Sequence, residues 1–196
     1  MRHPATLLPL LAMLTLLAML PACRASRLAP SREIFDEQSA MTLEVVSMPF
    51  IFARARSDVA AHARDYATLV AAEIDRSGEY SDFLLLYRWS TVDRRMSPPP
   101  PLSAGALRIL ADGRAIDLQP LQRVPISLTQ SHALYVPPHG DVVPRAYAVD
   151  GALLRYIAAC RNLTLRMPQE ELDTPFTLWQ DGREALAKFL QSISGT

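Results

Sequence analysis

Through the middle of this chain, apolar and polar positions alternate with a two-residue period, the spacing of strands in a sheet. The segment "TLVAAEIDRSGEYSDFLLLYRWSTVD" (68–93) carries the pattern most clearly. Two apolar runs flank Asp75-Arg76-Ser77-Gly78, whose glycine suits a turn position of positive φ, and a β-hairpin is predicted. In its second strand Phe83, Leu85, Tyr87 and Trp89 share one face, while Leu84, Leu86, Arg88 and Ser90 share the other. The first of these faces is strongly apolar, so the strand is expected to be central and to emerge from the core near Ser90. A second hairpin is expected over 106–121, where Asp112-Gly113 separates two apolar runs. Ahead of both, "MTLEVVSMPFIFARA" (41–55) reads as a strand kinked or bulged at Pro49, close to a sheet edge.

Helical spacing occurs in three places. Ser57 stands in N-cap position before the Ala-rich "SDVAAHARDYA", predicting a short helix. Asp150 caps "GALLRYIAAC", with Leu153, Leu154, Ile157 and Cys160 on one side. Asp181 and Glu184 form a D-x-x-E capping box that opens "GREALAKFLQSIS", where Leu186, Phe189, Leu190 and Ile193 keep helical period. Strands are predicted in "AYAVD", "NLTLRM" and "PFTLW", and one or two more in "RVPISLTQSHALYVPP", interrupted by Pro125. "MSPPPPLSAG" (96–105) and "HGDVVPR" (139–145) read as a stiff connection and a loop. The expected fold class is α+β: a mostly antiparallel sheet or sandwich built from hairpins, with two or three covering helices.

The amino-terminal end follows a different pattern. Arg2 makes a positive start, Leu7 to Leu20 is apolar except for Pro9 and Thr15, and Pro21 and the small Ala22 close the run. The apolar stretch falls short of the roughly 20 residues of a spanning helix, and a signal peptide is predicted over 1–22. Leu20-Pro21-Ala22-Cys23 resembles a bacterial lipobox, with Leu at −3, a small residue at −1 and Cys at +1. The resemblance covers residues 1–23. It implies cleavage before Cys23, a diacylglycerol thioether on its thiol, acylation of the new amino terminus, and so a palmitate-type anchor in the bilayer. Two or three acyl chains hold far more firmly than one, at about 0.8 kcal/mol per buried CH₂. Pro21 departs from the usual −2 residue, and the rival is ordinary cleavage after Ala25. Arg24 stands where Asp resembles an inner-membrane retention signal, which points to the outer membrane, facing the periplasm. Residues 23–40 then read as a lipidated end and flexible tether, with a helical turn near Ile34, and 41–196 as a single globular domain.

Charge excludes one class of partner. Twenty basic residues balance twenty acidic ones, and loss of Arg2 with the leader leaves the mature chain slightly negative. No strong positive field is present for nucleic acid. All basic residues but Lys188 are arginine. If Cys23 is lipidated, Cys160 has no partner within the chain and is expected to be a buried, small apolar residue.

Catalytic motifs are sparse. His62, His132 and His139 show no metal-ligand spacing, and there is no nucleophile elbow, P-loop or dinucleotide fingerprint. His139-Gly140-Asp141 is the best general-base candidate, against the ordinary outcome of a solvated loop. Glu170-Glu171-Asp173 reads as a solvated loop, and Trp179 as a packing anchor. The best binding candidates are Trp89, Arg94 and Arg95, because aromatic and arginine side chains dominate interface energetics and arginine grips carboxylates bidentately. No catalytic residue, metal or cofactor is assigned. The sequence therefore predicts a non-enzymatic binding, assembly or envelope-maintenance module with an envelope protein as partner. The alternative is a periplasmic hydrolase or a small-ligand carrier.

Overall fold

The computed structural model describes residues 29–37, 39–92, 105–130, 134–138, 144–168 and 174–193. Cys23, the leader, the proline run, His132, His139-Gly140-Asp141 and Glu170-Glu171-Asp173 lie outside the described residues. Among the described residues, ten strands form one mostly antiparallel sheet, accompanied by three short helices.

The central hairpin is its spine. β4 (Arg64–Arg76) and β5 (Glu79–Ser90) pair over their whole length, from Asp65↔Ser90 to Arg76↔Glu79. Ser77 and Gly78 make the turn with φ of 55° and 91°, the mirror-image turn that matches the strands' own twist. Both faces of β5 are buried from Phe83 to Tyr87, which a central strand covered on two sides requires.

The free edge of β4 is shared. β2 (Met41–Val46) pairs with Ala72–Asp75 and β3 (Phe50–Ala55) with Arg64–Leu69, so the register slips at Ser47-Met48-Pro49. Pro49 has no N–H for the ladder, which is why the predicted interruption falls there. The sheet forks at this break. β1 (Ser31–Asp36) adds to β2, while β10 (Phe176–Gln180), β9 (Leu163–Arg166), β6 (Leu107–Ala111) and β7 (Arg114–Leu118) continue from β3. β8 (Arg145–Val149) lines the other edge of β5. Just after β7, Leu121 N–H donates to the Ala146 carbonyl of β8 at 2.8 Å, drawing the two ends of the sheet together. Asp112 and Gly113 turn the predicted second hairpin with φ of 48° and 83°.

α2 (Gly151–Ala159) and α3 (Arg183–Ile193) pack on each other, and α3 packs on β1 and β2. Asp150 caps α2 by accepting from Leu153 N–H. Leu154, Ile157, Leu186, Phe189 and Leu190 face the core, as the helical period requires.

Four local expectations are corrected. Residues 56–63 form a hydrogen-bonded turn, with Arg56 N–H donating to Ala63, and the chain from Arg64 is strand. Pairing with two neighbours outweighs the Ala-rich propensity there. Ser31–Asp36, read as tether, is strand β1, held by full register with β2. The segment after Pro125 holds helix α1 (Ile126–Gln130), not strands, with Leu128 N–H donating to the Pro125 carbonyl. Proline fits a helix start and cannot join a ladder. Asp181 accepts from Arg183 N–H, but Glu184 reaches Lys188, so the capping box is not reciprocal.

Candidate binding surface

Tyr66 and Trp89 are direct cross-strand partners in β4 and β5. Their rings stack with centroids 3.8 Å apart and planes 8° from parallel. Trp179 meets Tyr66 edge-on at 6.2 Å and 84°. The register of β10 on β3 slips between Leu178 and Gln180, so Trp179 sits in a bulge, and bulges re-aim the residue they carry. Trp179 is thus not the packing anchor expected of it: it stands 59% exposed. The Arg64 guanidinium lies 5.0 Å from its ring centroid, a cation–π contact.

Polar groups hold the rings from below. Trp89 Nε1–H donates to Thr68 Oγ1 at 3.2 Å, and the Thr68 hydroxyl lies 3.4 Å from the Tyr135 hydroxyl. Tyr135 in turn leans on Tyr87, with centroids 5.2 Å apart. Burial pushes the Tyr87 hydroxyl up to about 12, so it stays protonated and serves as scaffold.

The reverse face of the same sheet end carries an ion-pair network. Asp65 accepts from Arg54 at 3.1 Å, Arg56 at 3.2 Å and the Ser90 hydroxyl at 2.8 Å. Arg54 and Asp65 are buried, and the Arg54 guanidinium lies 4.3 Å over Phe176. Arg56 also grips Asp58, whose carboxyl is held below its usual range by that hydrogen bond. This network braces the backbone that carries Arg64, Tyr66 and Trp89.

Of the residues singled out in the sequence, Trp89 lies in this cluster, while Arg94 and Arg95 fall outside the described residues. Tyr66, Arg64 and Trp179 were missed. The signal for Trp179 was present: in "FTLWQ" Phe176 and Leu178 alternate with Thr177 and Trp179, which sets the tryptophan on the polar face. His62 is exposed in the 56–63 turn. Cys160 is buried, its thiol raised by burial, and donates to the Ile157 carbonyl. Among the described residues no group of histidine, cysteine and carboxylate side chains is placed to hold a metal ion. No helix among them is long and apolar enough to cross a membrane. No protein-family profile matches the chain, and no curated protein or solved structure shows significant similarity to it.

Proposed function

We propose that this chain is a lipid-anchored lipoprotein of the bacterial outer membrane, facing the periplasm, whose α+β domain is a non-enzymatic binding module. Cys23 carries the anchor, and the Trp179–Tyr66–Trp89 cluster with Arg64 captures an envelope protein. The observation that carries this reading is the exposure of Trp179 on a buried aromatic base. A tryptophan left 59% exposed forgoes burial that other aromatic rings in the same cluster obtain. Trp, Tyr and Arg are the residues that carry most interface energy, and here they are held rigidly by stacking and by the Thr68 hydrogen bond. The apolar run ending in Cys23 supports the anchor.

The test is capture of partners by cross-linking in native membranes, followed by intact-mass measurement of the purified chain. The wild type is expected to recover one defined protein and to begin at acylated Cys23. Trp179→Ala with Arg64→Ala is expected to lose that capture at least tenfold while keeping its melting temperature. Unchanged capture by the double variant rules out the aromatic surface. A mass beginning at Ser26 without lipid rules out the anchor.

A further inference from the structure

The sheet has three terminal strands, β1, β7 and β8, and they end differently. β7 and β8 are drawn together, since the Leu121 N–H just after β7 donates to the Ala146 carbonyl of β8. β1 has β2 on one side and, among the described residues, no strand on the other. An open edge presents a row of backbone donors and acceptors to any strand that fits it.

The register on β2 shows which groups these are. Ser47 N–H donates to the Pro30 carbonyl at 3.0 Å, and the pairing continues from Ser31↔Val46 to Asp36↔Met41. Hydrogen-bonded pairs recur at every second residue of an antiparallel ladder. Arg32, Ile34 and Asp36 therefore turn their backbone groups toward β2, and Ser31, Glu33 and Phe35 turn theirs to the open edge. Side chains alternate as well, with Arg32, Ile34 and Asp36 on one face and Ser31, Glu33 and Phe35 on the other. Phe35 is 62% exposed, and Arg32 and Glu33 are exposed beside it.

In "SREIFD" the opposite charges of Arg32 and Asp36 stand at equal distances from Ile34. A two-fold interface requires that kind of pattern, because residue i meets j and j meets i. We infer that β1 pairs edge to edge with β1 of a second copy of this chain, antiparallel, about a two-fold axis at Ile34. Arg32 of each copy then faces Asp36 of the other, Ile34 faces Ile34, and Glu33 faces Phe35. Glu33 and Phe35 both turn their backbone groups outward, so each such pair exchanges its N–H···O bonds. The two ion pairs close the ladder at both ends. Asp36 already accepts from the Ser39 hydroxyl, and a carboxylate has room for further donors. The two exposed Phe35 rings become diagonal neighbours on one face, within reach of each other, and the two Glu33 carboxylates take the other diagonal in solvent.

Charge selects this register over its neighbours. Centring the pair on Glu33 sets Glu33 against Glu33, and centring it on Phe35 sets Glu33 against Glu37 at both ends. Like charges directly opposite are destabilising. Six residues of edge bury little area, so the free pair is weak. Two copies held on one bilayer meet at a raised effective concentration, the one point that rests on the proposed anchor.

The test is oxidative cross-linking of the purified full chain with one cysteine placed on the edge. Ile34→Cys sets two thiols opposite each other at a non-hydrogen-bonded pair, where Cα atoms stand about 4.5 Å apart, within the span of a disulfide. It is expected to form dimer at least tenfold faster than Glu33→Cys or Phe35→Cys, with the wild type, whose Cys160 is buried, as baseline. Equal rates at the three positions, or a faster rate at 33 or 35, overturn the inference. A second measurement leaves Ile34 in place. Arg32→Asp sets like charges at both ends of the ladder, and so does Asp36→Arg, whereas a mixture of the two variants sets opposite charges at both. In sedimentation equilibrium the mixture is expected to associate at least tenfold more tightly than either variant alone, and no difference between them overturns the pairing. Neither measurement alters Trp179, Arg64 or Cys23, so the aromatic surface and the anchor stand or fall separately.

Discussion

Asp65 shows how much one side chain's surroundings decide. It is buried with Arg54, and its two oxygens take up Arg54, Arg56 and Ser90. Removing it leaves a buried guanidinium without its counter-charge, so Asp65→Ala is expected to destabilise by about 3–5 kcal/mol in urea unfolding. Arg108 and Asp117 make an equally direct pair across β6 and β7, but both are about half exposed. Water already solvates those charges, and Asp117→Ala is expected to leave the unfolding midpoint where it is. The contrast was not legible in the sequence, which set Asp65 in a predicted helix and shows each pair only as an arginine and an aspartate 11 and 9 positions apart. Burial separates them, and burial is a property of what covers a face.

Elements were legible where local pattern and tertiary demand agree. The two Gly-containing turns, the break at Pro49 and the Asp150 cap all stand where their residues place them, because positive φ, a missing N–H and a capping carboxylate act within a few residues. The 57–67 helix failed because its end from Arg64 is claimed by two neighbouring strands and the rest is a turn. Gly182 marks a case between these. It has no unusual φ, yet a Cβ there would stand 2.9 Å from the Phe50 nitrogen and the Pro49 carbonyl carbon. The start of α3 thus touches the sheet at the fork, backbone to backbone. Gly182→Ala is expected to force α3 outward and to cost about 1–3 kcal/mol, measured by urea unfolding. Gly113→Ala is the control for the glycine's other use, since its turn has open space and only its φ of 83° is at stake.

For the whole molecule, Glu73 of β4, which faces Glu44 of β2 and Asp82 of β5, couples stability to pH. Glu73 binds its proton more tightly folded, at about 7, than unfolded, near 4.5. The folded state therefore holds more protons between those values, and stability falls as pH rises through that window. At pH 5 Glu73→Gln and the wild type are expected to melt together. At pH 8 the variant is expected to melt roughly 5 °C higher, because it carries no buried charge. A wild-type melting temperature that stays as flat between pH 5 and 8 as the variant's overturns this coupling.

What the sequence determined by itself were the short-range decisions. Hairpin turns, helix periods, the sheet's antiparallel character and the interruption at Pro49 follow from backbone sterics and period-two or period-3.6 burial, which neighbouring residues express on their own. Tertiary structure alone decided which residues meet. Tyr66 joins Trp89 through register, but Trp179 reaches Tyr66 only because β10 pairs with β3 more than a hundred residues away in sequence. Glu33, Glu44, Glu73 and Asp82 are ordinary polar positions on four strands until strand order sets them in one row beneath two helices. Contacts of that kind depend on loop closure and on the covering layer, and no local spacing encodes either.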